Sequence, residues 1–252
     1  MSTPKNILLI GATRGIGFGL VQHALASFPS ATLYTTARNP ERASELQKLK
    51  ASNESRVKIF AADSTDPESV NNLAAEVAKS TDTLDLVIYN AGVLVGFGNV
   101  LDVGVSGLKD NIETNVYGAY YAAVAFAPFL LRSNFERKSL AFVTSSFGSF
   151  ALSDTLSAMK AAAFGTVTFD PTAMYNVSKA TLNRLGKELD LVLRPQGLPV
   201  VLIHPGLVKT EMNPMGDIDV DTSAAGILHV LDKYSATNKQ IYLAWNGEDL
   251  PW

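Results

Sequence analysis

The stretch Gly11-Ala12-Thr13-Arg14-Gly15-Ile16-Gly17 follows the apolar run Ile7 to Ile10 and opens an amphipathic segment, so it reads as strand, tight glycine turn and helix. Glycine suits such a turn for steric reasons. The backbone needs angles that a Cβ disfavours, and a pyrophosphate can then approach bare main-chain N–H groups at the positive end of the helix dipole. The spacing is G-x-x-x-G-x-G rather than the commoner G-x-G-x-x-G, and glycine corners that hold no ligand are also frequent. The turn therefore needs support from the rest of the chain.

Working outward, strand-like runs recur at Ile7–Ile10, Ala31–Ala37, Arg56–Ala61, Leu84–Tyr89, Leu140–Ser145, Val200–His204 and Gln240–Ala244, with helical segments between them. Such alternation predicts an α/β fold: a doubly wound, seven-stranded, mostly parallel sheet with helices on both faces, formed by residues 1–252 as a single domain. Asn39-Pro40-Glu41, Asp66-Pro67-Glu68 and Asp170-Pro171-Thr172 each place a capping side chain before a proline and so predict helix starts. The segment Tyr117 to Leu131, interrupted by Pro128, is too short to span a bilayer and reads as a buried helix.

With 47% hydrophobic and 18% charged residues, the 252-residue chain can bury one large core. A net charge of -3 without a Lys/Arg block argues against a nucleic-acid partner. The absence of cysteine excludes disulfides and thiolate chemistry, and three scattered histidines form no metal cluster. No signal peptide or membrane segment is legible, so the expectation is a cytoplasmic protein.

The second strand ends in Thr36-Ala37-Arg38. An acidic residue near this position would hold ribose hydroxyls, whereas arginine accommodates a 2′-phosphate; Arg38 together with Arg14 favours NADP(H), the alternative being two solvated surface arginines. Asp63, just after the third strand, would meet the adenine or else help to cap the next helix. The segment from Phe147 to Phe169 is longer than ordinary strand-to-helix connections and leaves the carboxyl end of a strand, where ligands bind in doubly wound sheets.

Tyr175 and Lys179 form the only Y-x-x-x-K in the chain and share one helix face. The fifth strand ends in Val143-Thr144-Ser145-Ser146-Phe147-Gly148, and Asn115 lies on the preceding helix. Free tyrosine, with a pKa near 10, is a poor proton exchanger at neutral pH, and a neighbouring ammonium and a positively charged nicotinamide would lower it. Hydride transfer to a carbonyl carbon, protonation by Tyr175 and hydrogen bonding of the oxygen by Ser145 then form one unit, with Lys179 tuning Tyr175 and holding the ribose.

These residues resemble the short-chain dehydrogenases/reductases: the glycine turn, Asn90-Ala91-Gly92, Asn115, Ser145, Tyr175-x-x-x-Lys179 and Pro205-Gly206 fall in the family's order over nearly the whole chain. The resemblance implies a Rossmann fold, a role for Asn115 in a water–Lys179 proton relay, and Asn90-Ala91-Gly92 lining the cofactor. It also implies that Pro205 to Thr210 folds over the nicotinamide, with Val208 and Thr210 near its carboxamide. The ending Asn246-Gly247-Glu248-Asp249-Leu250-Pro251-Trp252 is similar to the C-factor and sniffer-type carbonyl reductases and to fungal norsolorinic-acid-type ketoreductases. Ser145 lies thirty positions before Tyr175, where the family serine usually lies about a dozen before it, and Ser146 is the fallback. The resemblance attributes the extra length, residues 147–169, to a substrate-site insertion that can obstruct the usual dimer helix, leaving monomer or homodimer. Tyr89, where the family often has Asn, is expected to be harmless.

Phe147, Phe150, Leu152, Met159 and Phe164 of the insertion, with Leu94, Phe97, Met212 and Met215, could line an apolar site for an aromatic or polyketide-like ketone, or serve as ordinary loop packing. The expected activity is NADPH-dependent reduction of a small-molecule carbonyl substrate. The alternatives are the same site run as an alcohol dehydrogenase, or an NADP(H)-binding redox sensor with little turnover.

Overall fold

The computed structural model describes residues 3–163, 165 and 169–252. Seven strands, β1 (Asn6–Ile10), β2 (Thr32–Ala37), β3 (Val57–Ala61), β4 (Leu86–Tyr89), β5 (Ser139–Val143), β6 (Val200–His204) and β7 (Tyr242–Ala244), form one sheet in the order β3-β2-β1-β4-β5-β6-β7, with every pairing parallel. The two-residue period of a strand divides the core between the sheet's faces. Ile7, Leu9, Ala141, Val143, Val201 and Ile203 pack on one face with the helices α1 (Gly15–Ser27), α2 (Ser44–Ala51) and α8 (Val220–Lys233). Leu8, Ile10, Leu140, Phe142, Val200 and Leu202 pack on the other with α3 (Pro67–Ala78), α5 (Gly118–Arg132) and α7 (Ala173–Leu193).

The two remaining α-helices are α4 (Gly104–Ile112) and α6 (Ser153–Ala163). The segment from Phe147 to Phe169, read as a loop, thus begins within a 3-10 turn, Ser146–Gly148, and contains the helix α6. A π-helical turn, Glu113–Tyr117, separates α4 from α5. Strand order reverses at β1, which has β2 on one side and β4 on the other, and this switch point opens a crevice at the strands' carboxyl ends.

Three local expectations are corrected. Asp66 caps α3 through the Glu68 N–H at 2.9 Å, but Asn39 caps only a 3-10 turn, Pro40–Arg42, before α2 begins at Ser44. Asp170 does not cap α7, which starts at Ala173; it accepts from Thr172 N and Oγ1 and pairs with Lys160. The helix α5 is half-buried rather than buried, because Tyr120 and Val124 are exposed on it. No helix among the described residues is long and apolar enough to cross a membrane.

Candidate active site

The glycine turn meets the crevice through close backbone contact. Gly11 has φ +85°, and a Cβ there would lie 2.6 Å from Ala91 N; a Cβ on Gly17 would overlap the Gly11 carbonyl. Asn90 Nδ2 donates to that same carbonyl at 2.8 Å, so the first strand-to-helix turn and the end of β4 are sewn together. The helix α1 begins after Arg14, whose extended backbone (φ -160°) carries no capping side-chain bond, and its first turn contains no acidic residue. The first-turn N–H groups of Gly15, Ile16 and Gly17 are thus free of competing side chains, and this donor set fits the pyrophosphate of a dinucleotide. Thr13 is exposed beside them.

Arg38 is exposed at the end of β2. Asp63 accepts from Thr65 N at 3.0 Å and Thr65 Oγ1 at 2.7 Å; these bonds, with the Arg38 charge nearby, hold its carboxyl below the usual range. Asp63 therefore organises its own turn and also faces Arg38. Arg14, by contrast, spends its guanidinium on Glu211 at 2.5 Å, a residue 197 positions away on the loop that leaves β6. That loop reaches over the glycine turn, since Thr210 lies 3.6 Å from where a Gly15 Cβ would be. Its base is fixed by Ser223 Oγ donating to the Pro205 carbonyl at 2.6 Å, and Val208 is buried in a bridge to Ile218. Gly206 has φ +88°, and Ile218 and Trp245 leave no room for a Cβ there.

At the end of β5, Ser145 Oγ accepts from Phe147 N at 3.2 Å. The first turns of α7 bring up Tyr175 and Lys179, spaced by one helical turn. Burial pushes Tyr175 up to about 12, and the nearby Ser145 hydroxyl partly offsets it. Burial also lowers Lys179 to about 8, and its Nζ donates to the Val143 carbonyl at 3.0 Å. In the protein alone, loss of hydration disfavours the phenolate and holds Tyr175 protonated. Ser145, rather than Ser146, lies near enough to Tyr175 to act against that rise.

Asn115 sits within the π-helical turn, a rare geometry often associated with functional sites. Its side chain is fully buried and spoken for: Nδ2 donates to the Val93 carbonyl and to Ser178 Oγ, and Oδ1 accepts from Val93 N. A Cβ on Gly92 would lie 3.2 Å from Asn115 Oδ1 and 3.7 Å from Lys179 Nζ, so these three positions converge. Tyr89 is built in rather than merely tolerated, since its buried hydroxyl donates to the Thr114 carbonyl of the π turn at 2.7 Å. The absence of a side chain on Gly118 makes room for it.

The apolar residues proposed for the pocket divide. Phe147 packs edge-on against Tyr175, with ring centroids 6.5 Å apart, whereas Phe97, Phe150, Met212 and Met215 are exposed on the loops beyond β4, β5 and β6, and Met159 is exposed on α6. Leu94 and Leu152 are half-buried, and Phe164 lies outside the described residues. Sequence reasoning missed Ser178, which partners Asn115, and Lys160, whose ammonium lies 3.9 Å over the Phe147 ring. Ser178 is adjacent to the Lys179 motif; Lys160 carries no local signal.

Comparison with known proteins agrees with this geometry. A family model described as short chain dehydrogenase matches residues 5–169. An uncharacterized oxidoreductase of Schizosaccharomyces pombe is 31% identical, with all of both chains covered. Among solved structures, the carbonyl reductase from chicken fatty liver with NADPH bound superposes with a TM-score of 0.86 at 30% identity, covering 98% of this chain and 99% of that one. The carbonyl reductase Sniffer of D. melanogaster gives 0.86 at 28% identity, covering 99% and 100%. Sequence order, parallel sheet and site geometry thus lead to one conclusion: the chain belongs to the short-chain dehydrogenase family of oxidoreductases.

Proposed function

We propose that the protein is an NADPH-dependent carbonyl reductase acting on an apolar or aromatic ketone or aldehyde. The observation that carries this reading is the convergence of Ser145, Tyr175 and Lys179 at the end of β5, two strands along the same carboxyl edge from β1 and the uncapped N-terminus of α1. Bound NADPH supplies the hydride. Gly15 to Gly17 would hold the pyrophosphate with their N–H groups, Arg38 would take the 2′-phosphate, joined by Arg14 once it lets go of Glu211, and Asp63 would meet the adenine. Asn90, Ala91 and Gly92 line one side of the crevice, and Pro205, Gly206, Val208 and Thr210 the other.

Tyr175 holds its proton at neutral pH and hands it to the carbonyl oxygen as negative charge develops there. Ser145 accepts from Phe147 N–H, which leaves its own proton for that oxygen. The Lys179 ammonium stabilises the tyrosinate left behind. Asn115 fixes the Val93 backbone and Ser178 beside Lys179 and so keeps this side of the relay in place. Exposed Phe97, Met212 and Met215 around the crevice favour an apolar substrate over a charged one.

The test is cofactor oxidation by the purified protein, with NADPH and NADH in parallel, against aromatic ketones, quinones, aldehydes and aliphatic ketones. Turnover with NADPH, reduced roughly 100-fold or more by Tyr175→Phe, is expected. Tyr175→Phe with normal turnover would refute the mechanism.

A further inference from the structure

The strand β7 lies at the edge of the sheet, two strands from β5, yet it reaches the candidate site. Tyr242 pairs in register with Leu202 on β6, which pairs with Phe142 on β5, so the three side chains share one face. From there the fully buried Tyr242 extends its hydroxyl to the Ser145 carbonyl, donating at 2.8 Å. Crossing toward a site two strand spacings away requires a long side chain with a polar tip, which among core residues means tyrosine.

Two further contacts steady this arrangement. Asn183, one helical turn beyond Lys179, accepts from Thr144 Oγ1 at 2.6 Å, and its Nδ2 lies beside the Tyr242 hydroxyl outside full hydrogen-bond geometry. Trp252 packs on the Tyr242 ring with centroids 5.4 Å apart, while its carbonyl accepts from Ala151 N at 2.9 Å. The C-terminal residues thereby brace both the Ser145 backbone and the start of the insertion.

We infer that Tyr242 is a positioning residue for Ser145: its hydroxyl pins the Ser145 carbonyl and so holds Oγ toward Tyr175. This inference rests on Ser145 being the serine that binds the substrate oxygen. Tyr242→Phe keeps the packed ring and removes only the donor. It should lower kcat about 5- to 10-fold, as expected for one hydrogen bond, with the KM for NADPH unchanged. In a Ser145→Ala background the same substitution should change kcat less than about 2-fold, because the group it positions is gone.

An equal loss in both backgrounds overturns the inference and leaves the reductase reading standing. Ser145→Ala with wild-type turnover overturns the serine's role and the inference together. Amide exchange in the full-length protein gives a readout that needs no substrate. The Phe147 N–H, bonded to Ser145 Oγ, should exchange several-fold faster in Tyr242→Phe, whereas unchanged protection overturns the inference.

Discussion

Replacing Lys160 with methionine removes one charge from a buried pair that clamps the insertion to the start of α7. The Lys160 and Asp170 side chains are 6% and 9% exposed and form an ion pair. Lys160 also donates to Thr172 Oγ1 at 2.7 Å and Asn176 Oδ1 at 3.1 Å. Burial pushes both groups toward neutrality. At Asp170 it is outweighed by hydrogen bonds from Lys160 and Thr172, which hold the carboxyl below its usual range; at Lys160 burial prevails and lowers the ammonium pKa. Breaking a buried pair from one side typically costs 3–5 kcal/mol. After Lys160→Met, Asp170 keeps donors from Thr172 N, Thr172 Oγ1 and Asn176 Nδ2, which places the loss at the low end, about 3 kcal/mol. For a chain of this size that corresponds to a fall in Tm of roughly 6–12 °C. Adding Asp170→Asn removes the stranded charge and should recover about half of the loss. Thermal melts of the four proteins in the cycle, together with proteolysis across 153–163 to register local opening, measure this. An unshifted melt and unchanged proteolysis in Lys160→Met, with Asp170→Asn costing the same in both backgrounds, would refute the argument.

Glu211→Gln should release Arg14; because the pair's side chains are 75% and 78% exposed, the gain is at most about 1 kcal/mol, tightening NADPH roughly 2- to 5-fold and leaving NADH unchanged. Arg38→Ala should act oppositely, weakening NADPH far more than NADH, and fluorescence titration with both cofactors reads both variants. Equal changes for the two cofactors would contradict the 2′-phosphate assignment. His204 is held down to about 4, chiefly by burial and further by Lys179, with Asp217 partly offsetting this; its Nδ1 is buried without a hydrogen-bond partner. Since the unfolded histidine titrates near 6.5, its contribution to stability should be full above that pH and fall as pH drops from 6.5 toward 4, by at most about 3 kcal/mol. His204→Gln should flatten the pH dependence of urea unfolding across that window.

Much of the site was legible because its determinants are local. The alternation of Ile7 and Leu9 with Leu8 and Ile10 needs only the period of a strand to divide the core between two faces. The four-residue spacing of Tyr175 and Lys179 needs only the period of a helix to bring both to one side, and glycine at 11, 15 and 17 follows from backbone geometry at one turn. Such signals lie within a few residues of one another, so they survive in a linear reading.

What only the tertiary structure decided was the partner of each polar group whose neighbour is distant in the chain. Arg14 meets Glu211 because the β6 loop returns over the first turn, and Asp170, ahead of α7, meets Lys160 because α6 brings it there. Tyr175 stands raised in the protein alone because packing removes part of its hydration, and Tyr242 finds Ser145, 97 positions earlier, because β7 closes the sheet edge on the same face. Buried hydrogen-bonding groups must be satisfied, but which groups satisfy them depends on how the layers pack, and no local period encodes that choice.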